Sequence, residues 1–360
     1  MVRVLIVDDS IVAQKLLNHI YSQDKEIQVV GIANNGAEAV ELTLRNKPDV
    51  ISMDLQMPEM DGYETTRRIM ETRPTPIVVV SGTTNTKEIS VVFKIIEAGA
   101  LTAVNRPPAP THPDFDRLSL DLRVTIKLMA AIKVEKKIAK KERFAKNGLL
   151  SNPVSENIGT RYNNADVRLI AIGASTGGPG AIQKILFGLP KNLRVPILII
   201  QHIAYGFING FAEWLTSTTG FTVKVAYNNE YISAGIAYLS PDGFNLGVDI
   251  TGKRILCVKC KDDLGISSVS HLFENVAKVI GGNAVGVILS GMGNDGAKEL
   301  KLMREQGSVT IAQDSESCVV FGMPNEAIQL GGAVMILPVD KIAATLISLI
   351  NGKEPLPEKI

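Results

Sequence analysis

Cysteine, tryptophan and histidine are scarce in this 360-residue chain, at three, one and four copies. Three cysteines are odd in number and too few for a disulfide scaffold, which suits a reducing compartment; the expected location is the cytoplasm. A lone C-x-x-C, Cys257 and Cys260, lacks the second pair or nearby histidines of a zinc site and reads as strand or turn. No apolar run approaches the roughly 18–20 residues that span a bilayer. The opening "MVRVLIVDDS" is too briefly apolar, and too soon acidic, for a signal peptide. Charge of one sign is not in excess either. The 38 Lys and Arg against 37 Asp and Glu leave +1, which argues against bulk binding to nucleic acid or an anionic membrane surface. No repeat at a solenoid period is evident.

What remains is an ordinary globular composition with enough length for two cores. Residues 1–105 alternate short apolar runs ("VRVLIV", "IQVVGIA", "DVISMD", "PIVVVSG", "ALTAV") with stretches of helical spacing, and "FDRLSLDLRVTIKLMAAI" adds a further amphipathic helix. Five strands alternating with helices imply an α/β, doubly wound parallel sheet. The spacing predicts a first domain over 1–132. A basic run and an Asn- and Ser-rich stretch then mark 133–165 as a linker, the basic run reading as a solvated helix face. The α/β rhythm resumes over 166–352 with "VRLIAIGA", "VPILIIQH", "AVGVILSG" and "SVTIAQD", and 353–360 is a tail. Shorter alternating runs over 221–260, separated by "PDG" and "TGK", predict hairpins added to a mainly parallel sheet.

In the first domain, chemistry collects where strands end, the rim on which open parallel sheets bind ligands. Asp8 and Asp9 follow the first strand, Asp54 the third, Ser81 ends the fourth, and "NRPP" follows the fifth. Clustered carboxylates raise one another's pKa unless a cation joins them, and a hard oxygen-seeking ion, Mg²⁺, suits them. N-capping of the following helices explains any one of these positions but poorly explains all. At these residues the domain resembles the receiver of two-component response regulators. The resemblance implies a flavodoxin-like fold, Asp54 as phosphoacceptor, Mg²⁺ held by Asp8, Asp9, Asp54 and the carbonyl of Gln56, and phosphoryl contacts from Ser81. Receivers normally carry Lys before the proline after the fifth strand. Arg106 stands there instead, a planar fork in place of a point charge.

In the second domain "LIAIGASTGGPG" fails as a Walker loop, because Pro179 occupies the lysine position, and fails as G-x-G-x-x-G, because Ser175 occupies the second glycine. It matches G-x-S-x-G over Gly173 to Gly177, a sharp strand-to-helix turn that exposes a serine hydroxyl. A serine that simply caps the next helix is the alternative. Among the four histidines only His202 follows a buried strand, which puts a base on the rim of Ser175. Asp295, in the glycine-rich "SGMGNDGA", is the favoured orienting carboxylate, and Asp314 is its rival. The order Ser, His, Asp differs from that of α/β-hydrolases, chymotrypsin and subtilisin.

With "GASTGG", "QH", "GMGNDGA" and "AQDSESCVVFGMP", this half resembles the catalytic domain of CheB, the chemotaxis protein-glutamate methylesterases. The resemblance implies Ser175 as nucleophile, His202 as base, Asp295 as its orienter, and oxyanion donors near Thr176 and Met292. It implies hydrolysis of glutamyl methyl esters, and deamidation of specific glutamines, on methyl-accepting chemoreceptors reached only through protein contacts. A chemotaxis histidine kinase would be phosphodonor, and the unmodified receiver would cover the catalytic rim. No cofactor is expected for the esterase reaction. The family pattern drifts after His202, where "IA" replaces a common Met-Pro, and at Asn245, where His is frequent. The alternative of another class is a catalytically inactive, phosphorylation-controlled binding module.

Overall fold

The computed structural model describes residues 1–55, 57, 60–82, 86–134, 166–261 and 266–352. Gln56, most of the expected linker and the tail 353–360 lie outside the described residues. The chain divides into two compact units, Met1–Asn147 and Gly148–Ile360.

The first unit runs β1 (Val2–Val7), α1 (Ile11–Ser22), β2 (Ile27–Ala33), α2 (Gly36–Asn46), β3 (Val50–Met53), α3 (Gly62–Thr72), β4 (Ile77–Ser81), α4 (Thr86–Ala98), β5 (Thr102–Asn105) and α5 (Phe115–Ala130). Its five strands lie parallel in the order β2-β1-β3-β4-β5. Val4–Val7, Val50, Ile51 and Ile77–Val80 are buried, because helices cover both faces. That double burial is why these strands are continuously apolar and not alternating. Side-chain oxygens of Ser10, Asn35 and Asp61 accept N–H groups of Ala13, Glu38 and Glu64 and so start α1, α2 and α3.

The second unit runs β6 (Leu169–Ala174), α6 (Gly178–Gly188), β7 (Ile197–Gln201), α7 (Ile208–Thr219), β8 (Thr222–Val225), β9 (Ile236–Leu239), β10 (Phe244–Val248), β11 (Ile255–Lys259), α8 (Val269–Val279), β12 (Ala284–Ile288), α9 (Ala297–Glu305), β13 (Val309–Gln313), α10 (Met323–Gln329), β14 (Met335–Leu337) and α11 (Val339–Ile350). Seven strands form a parallel sheet in the order β14-β13-β12-β6-β7-β9-β8. The chain builds outward from β6 to β7, β9 and β8 on one side and to β12, β13 and β14 on the other. β6 is therefore the point at which the winding reverses, where such sheets open a crevice.

The 221–260 stretch divides differently from the expectation of hairpins on the sheet. One hairpin, β10–β11, forms, and it makes its own two-stranded antiparallel sheet. β8 and β9 join the main sheet as parallel neighbours. The reason is the loop 226–235 between them: it is too long for a tight turn, and its Tyr231 bridges Arg254 beside the hairpin. The chain is thereby carried back to start β9 in the same direction as β8. Short β14 escaped the sequence reading, since three apolar residues carry no periodicity. Among the described residues no helix is long and apolar enough to cross a membrane.

Candidate active site

Three neighbouring strands, β12, β6 and β7, end at one rim of the second sheet. Ser175 follows β6 directly, and its N–H donates to the Ser290 carbonyl beyond β12 at 3.0 Å. His202 follows β7, its N–H donating to the Ala174 carbonyl at 2.9 Å. Asp295, in the loop between β12 and α9, lies 3.0 Å from His202 through Oδ2 and Nε2. Backbone pairing thus puts the serine between the other two chain segments.

Asp295 is held from the far side by the first turn of α8. The N–H groups of Val269 and Ser270 donate to it at 2.7 and 2.9 Å, and the Ser268 hydroxyl at 3.1 Å. The exposed amides and dipole of a helix N-terminus favour an anion there. Burial alone would raise this carboxyl, but hydrogen bonds from His202 and Ser270 hold it well below the usual carboxylate range. An ionised carboxylate only accepts, so Nε2 carries the proton that faces it, and in the neutral imidazole the lone pair is then on Nδ1.

The Ser175 hydroxyl has no hydrogen-bond partner among the described residues. α6 begins at Gly178 without any side-chain cap, so the capping alternative for Ser175 finds no contact to support it. Asp314 spends its carboxylate on the N–H and hydroxyl of Ser317, at 2.9 and 2.6 Å, closing a local turn. The amides of Thr176 and Met292 have no partner among the described residues, and Met292 is 45% exposed.

Glycine at 173 lets α8 approach. A Cβ there would sit 2.1 Å from Cγ1 of Val269, the first residue of that helix. Gly173→Ala is expected to push the α8 N-terminus away, destabilising the fold by about 1–3 kcal/mol as overpacking does. A thermal melt would show the loss as a Tm several degrees lower, and turnover would fall with it because Asp295 loses its donors.

Cys257 lies in β11 opposite Leu246 and Cys260 just beyond the strand, and the two are not joined to each other by a disulfide. Burial pushes the Cys257 thiol up to about 11, with Glu230 adding to the effect. Neither joins a metal cluster among the described residues.

The first sheet carries a second rim. Asp8, Asp9 and Asp54 offer ligand oxygens that all lie within 4.8 Å of one another, the single such group among the described residues. Arg106 Nη2 donates to Asp54 Oδ1 at 2.9 Å and lies 3.5 Å from Asp8 Oδ2. Asp8 Oδ2 is buried without a hydrogen bond among the described residues. Burial pushes both Asp8 and Asp54 up, against the pull of Arg106. Clustered hard donors with one orphaned oxygen fit a small divalent cation. Ser81 is buried at the end of β4, and its carbonyl accepts the Arg106 N–H at 2.7 Å.

The family model for the CheB methylesterase matches residues 170–346, and that for the response regulator receiver domain matches 4–112. A protein-glutamate methylesterase/protein-glutamine glutaminase of Syntrophus aciditrophicus is 44% identical over 356 residues, 99% of this chain and 100% of its own. The chain belongs to the CheB family. Protein-glutamate methylesterase/protein-glutamine glutaminase 4 of Geobacter metallireducens is 46% identical over 98% of this chain and 100% of its own. The crystal structure of the Thermotoga maritima CheB methylesterase catalytic domain is 37% identical, with TM-score 0.49, over 51% of this chain and 98% of that one.

Asn245 Oδ1 accepts the Ser268 N–H at 2.7 Å, anchoring the turn that holds Asp295. Sequence reasoning missed Ser268, Ser270 and Ser290. The only signal for Ser268 was a serine ahead of the apolar helical run "VSHLFENVAKV", where it caps α8 through the His271 N–H. Ser290, whose hydroxyl donates to the Thr176 carbonyl at 2.7 Å, carried none.

Proposed function

We propose that this CheB chain hydrolyses glutamyl methyl esters of chemoreceptors at Ser175, with His202 as base and Asp295 as its orienter. The carrying observation is the His202–Asp295 hydrogen bond on the same rim as a serine hydroxyl that has no hydrogen-bond partner among the described residues. Ser175 Oγ attacks the ester carbonyl while its proton passes to His202 Nδ1, and the imidazolium that forms is stabilised by Asp295 through Nε2–H. The Oγ–C bond forms as the carbonyl π pair moves onto its oxygen; the oxyanion then re-forms the carbonyl as the bond to methoxide breaks, and Nδ1–H protonates the departing oxygen to give methanol. Water, deprotonated by the same nitrogen, then releases glutamate and restores the hydroxyl. Attack on a glutamine side chain follows the same course with ammonia leaving. The amides of Thr176 and Met292, without partners among the described residues, are the donors we assign to the oxyanion. Release of methanol from purified methylated receptor tests the reading, and its absence from the wild-type chain would favour the inactive binding module.

We assign regulation to the first unit, in the cytoplasm. Asp54 is the phosphoacceptor, supplied by a chemotaxis histidine kinase. Asp8, Asp9 and Asp54 would hold Mg²⁺, which when bound neutralises charge on the arriving phosphoryl group. Arg106 and Ser81 contact its oxygens, and the arginine fork now on Asp54 is free to turn to them. Phosphorylation relieves inhibition by differential contacts in two states. With acetyl phosphate and Mg²⁺ the intact mass is expected to rise by one phosphoryl group and methanol release to accelerate. Asp54→Asn should show neither, and an unmodified wild-type mass would reject Asp54 as acceptor.

A further inference from the structure

Gln201 ends β7, pairs in register with Ala174, and is buried, only 6% exposed. Its Nε2 donates to the carbonyl of Ser175 at 2.8 Å and to the carbonyl of His202 at 2.8 Å. One planar amide therefore ties the main chain of the proposed nucleophile to that of the proposed base. The Ser175 carbonyl takes a second N–H from Gly178 at 2.8 Å, which closes the turn into α6. For the His202 carbonyl, Gln201 is the one donor among the described residues.

The orientation of this amide is decided by its partners. Both are carbonyls, and only the nitrogen end of a glutamine donates. The consequence is that Gln201 Oε1 is buried with no hydrogen bond among the described residues, resting against Gly178, where a Cβ would come within 2.1 Å of it. A buried, unpaired acceptor is costly, and an apolar side chain of similar length would fill the space without that penalty. What an apolar side chain lacks is the pair of donors.

We infer that Gln201 is a positioning residue for this hydrolase, setting the separation of Ser175 and His202 by clamping both carbonyls with one side-chain amide. The inference rests on the triad reading above. It acts through the main chain and touches neither substrate nor the reacting atoms. Loss of the clamp lets the nucleophile and base drift apart in a step that depends on their alignment, whereas the groove that binds the receptor is untouched. Small misplacements of this kind cost up to about 100-fold in rate.

Two near-isosteric variants test it in the full chain. Gln201→Met removes both donors, and Gln201→Glu sets a carboxylate against the two carbonyls. Each is expected to lower kcat for methanol release by about 10- to 100-fold, with KM changed less than about twofold. The rate of fluorophosphonate labelling of Ser175 should fall by a similar factor. Thr310→Val serves as the control for simple loss of stability. Thr310 is buried in β13, its hydroxyl donating to the Gly332 carbonyl at 2.6 Å, away from the rim. At a matched drop in Tm it should leave kcat and labelling unaltered. Undiminished kcat and labelling in both Gln201 variants would overturn the clamp while leaving the triad standing. Equal losses in Thr310→Val would also overturn it. A wild-type chain that neither releases methanol nor labels would overturn the triad reading, and the clamp with it.

Discussion

Ser175→Ala is expected to lower methanol release by about 10⁶-fold, the loss that follows removal of a triad serine in subtilisin. The reason lies in the covalent step: with no Oγ there is no acyl-enzyme, and His202 can only assist direct attack by water. The oxyanion donors and the receptor groove survive, so a residual rate of about 10³–10⁴ over the uncatalysed reaction is expected. Fluorophosphonate labelling should vanish altogether. Folding should change little, because the hydroxyl is half-buried and makes no hydrogen bond among the described residues. A variant turning over near the wild-type rate would remove Ser175 from the mechanism.

Asp295→Asn should cost about 10⁴-fold in kcat, and for a different reason. Four donors point at this side chain: the amides of Val269 and Ser270, the Ser268 hydroxyl and His202 Nε2–H. A carboxylate accepts them all, whereas an amide offers one oxygen and must turn its NH₂ toward some of them. If the NH₂ faces His202, Nε2 has to become the lone-pair nitrogen, the proton moves to Nδ1, and the base no longer accepts from Ser175. Combining Asp295→Asn with Ser175→Ala should be scarcely worse than Ser175→Ala alone, since the residues act as a unit.

The same substitution has a signature in stability against pH. The folded pKa of Asp295 is depressed, so its ionisation stabilises the fold above the unfolded value of about 3.9. That stabilisation is lost as pH falls through about 3.9 towards the lower folded value. Wild type should therefore lose more Tm between about pH 5 and pH 3 than Asp295→Asn does, while being the more stable at pH 7. Parallel melts that decline identically would show that Asp295 is not held as an anion.

Much of both sheets was legible because central strands such as β1, β6 and β7 are buried on two faces and so read as apolar runs bounded by turn residues. "VRVLIV" and "IQVVGIA" coincide with β1 and β2. The edge was less legible. "FTVKVAY" and "GIAYLS" were recognisable as strands, but whether neighbours run parallel or antiparallel depends on where the intervening loop goes, and the 226–235 loop is directed by its bridge to Arg254. At the site, Ser175, His202 and Asp295 could be singled out by their place after strands and by glycine-rich surroundings. Their supports could not. Gln201 is simply the last residue of an apolar strand, and Ser268 and Ser270 lie at the start of a helix more than sixty residues beyond His202.

The residues alone determined two α/β sheets, an acidic first rim, and a second rim able to offer hydroxyl, imidazole and carboxylate, because burial and strand-end position are written in local patterns. Only the tertiary structure decided which imidazole nitrogen meets Asp295, and that the first turn of α8 keeps that carboxylate ionised. It also decided that one buried amide joins the carbonyls of Ser175 and His202. Those outcomes depend on directed hydrogen bonds between segments far apart in the chain. Such bonds are short-ranged and angular, so nothing in the spacing of residues along the chain prescribes them.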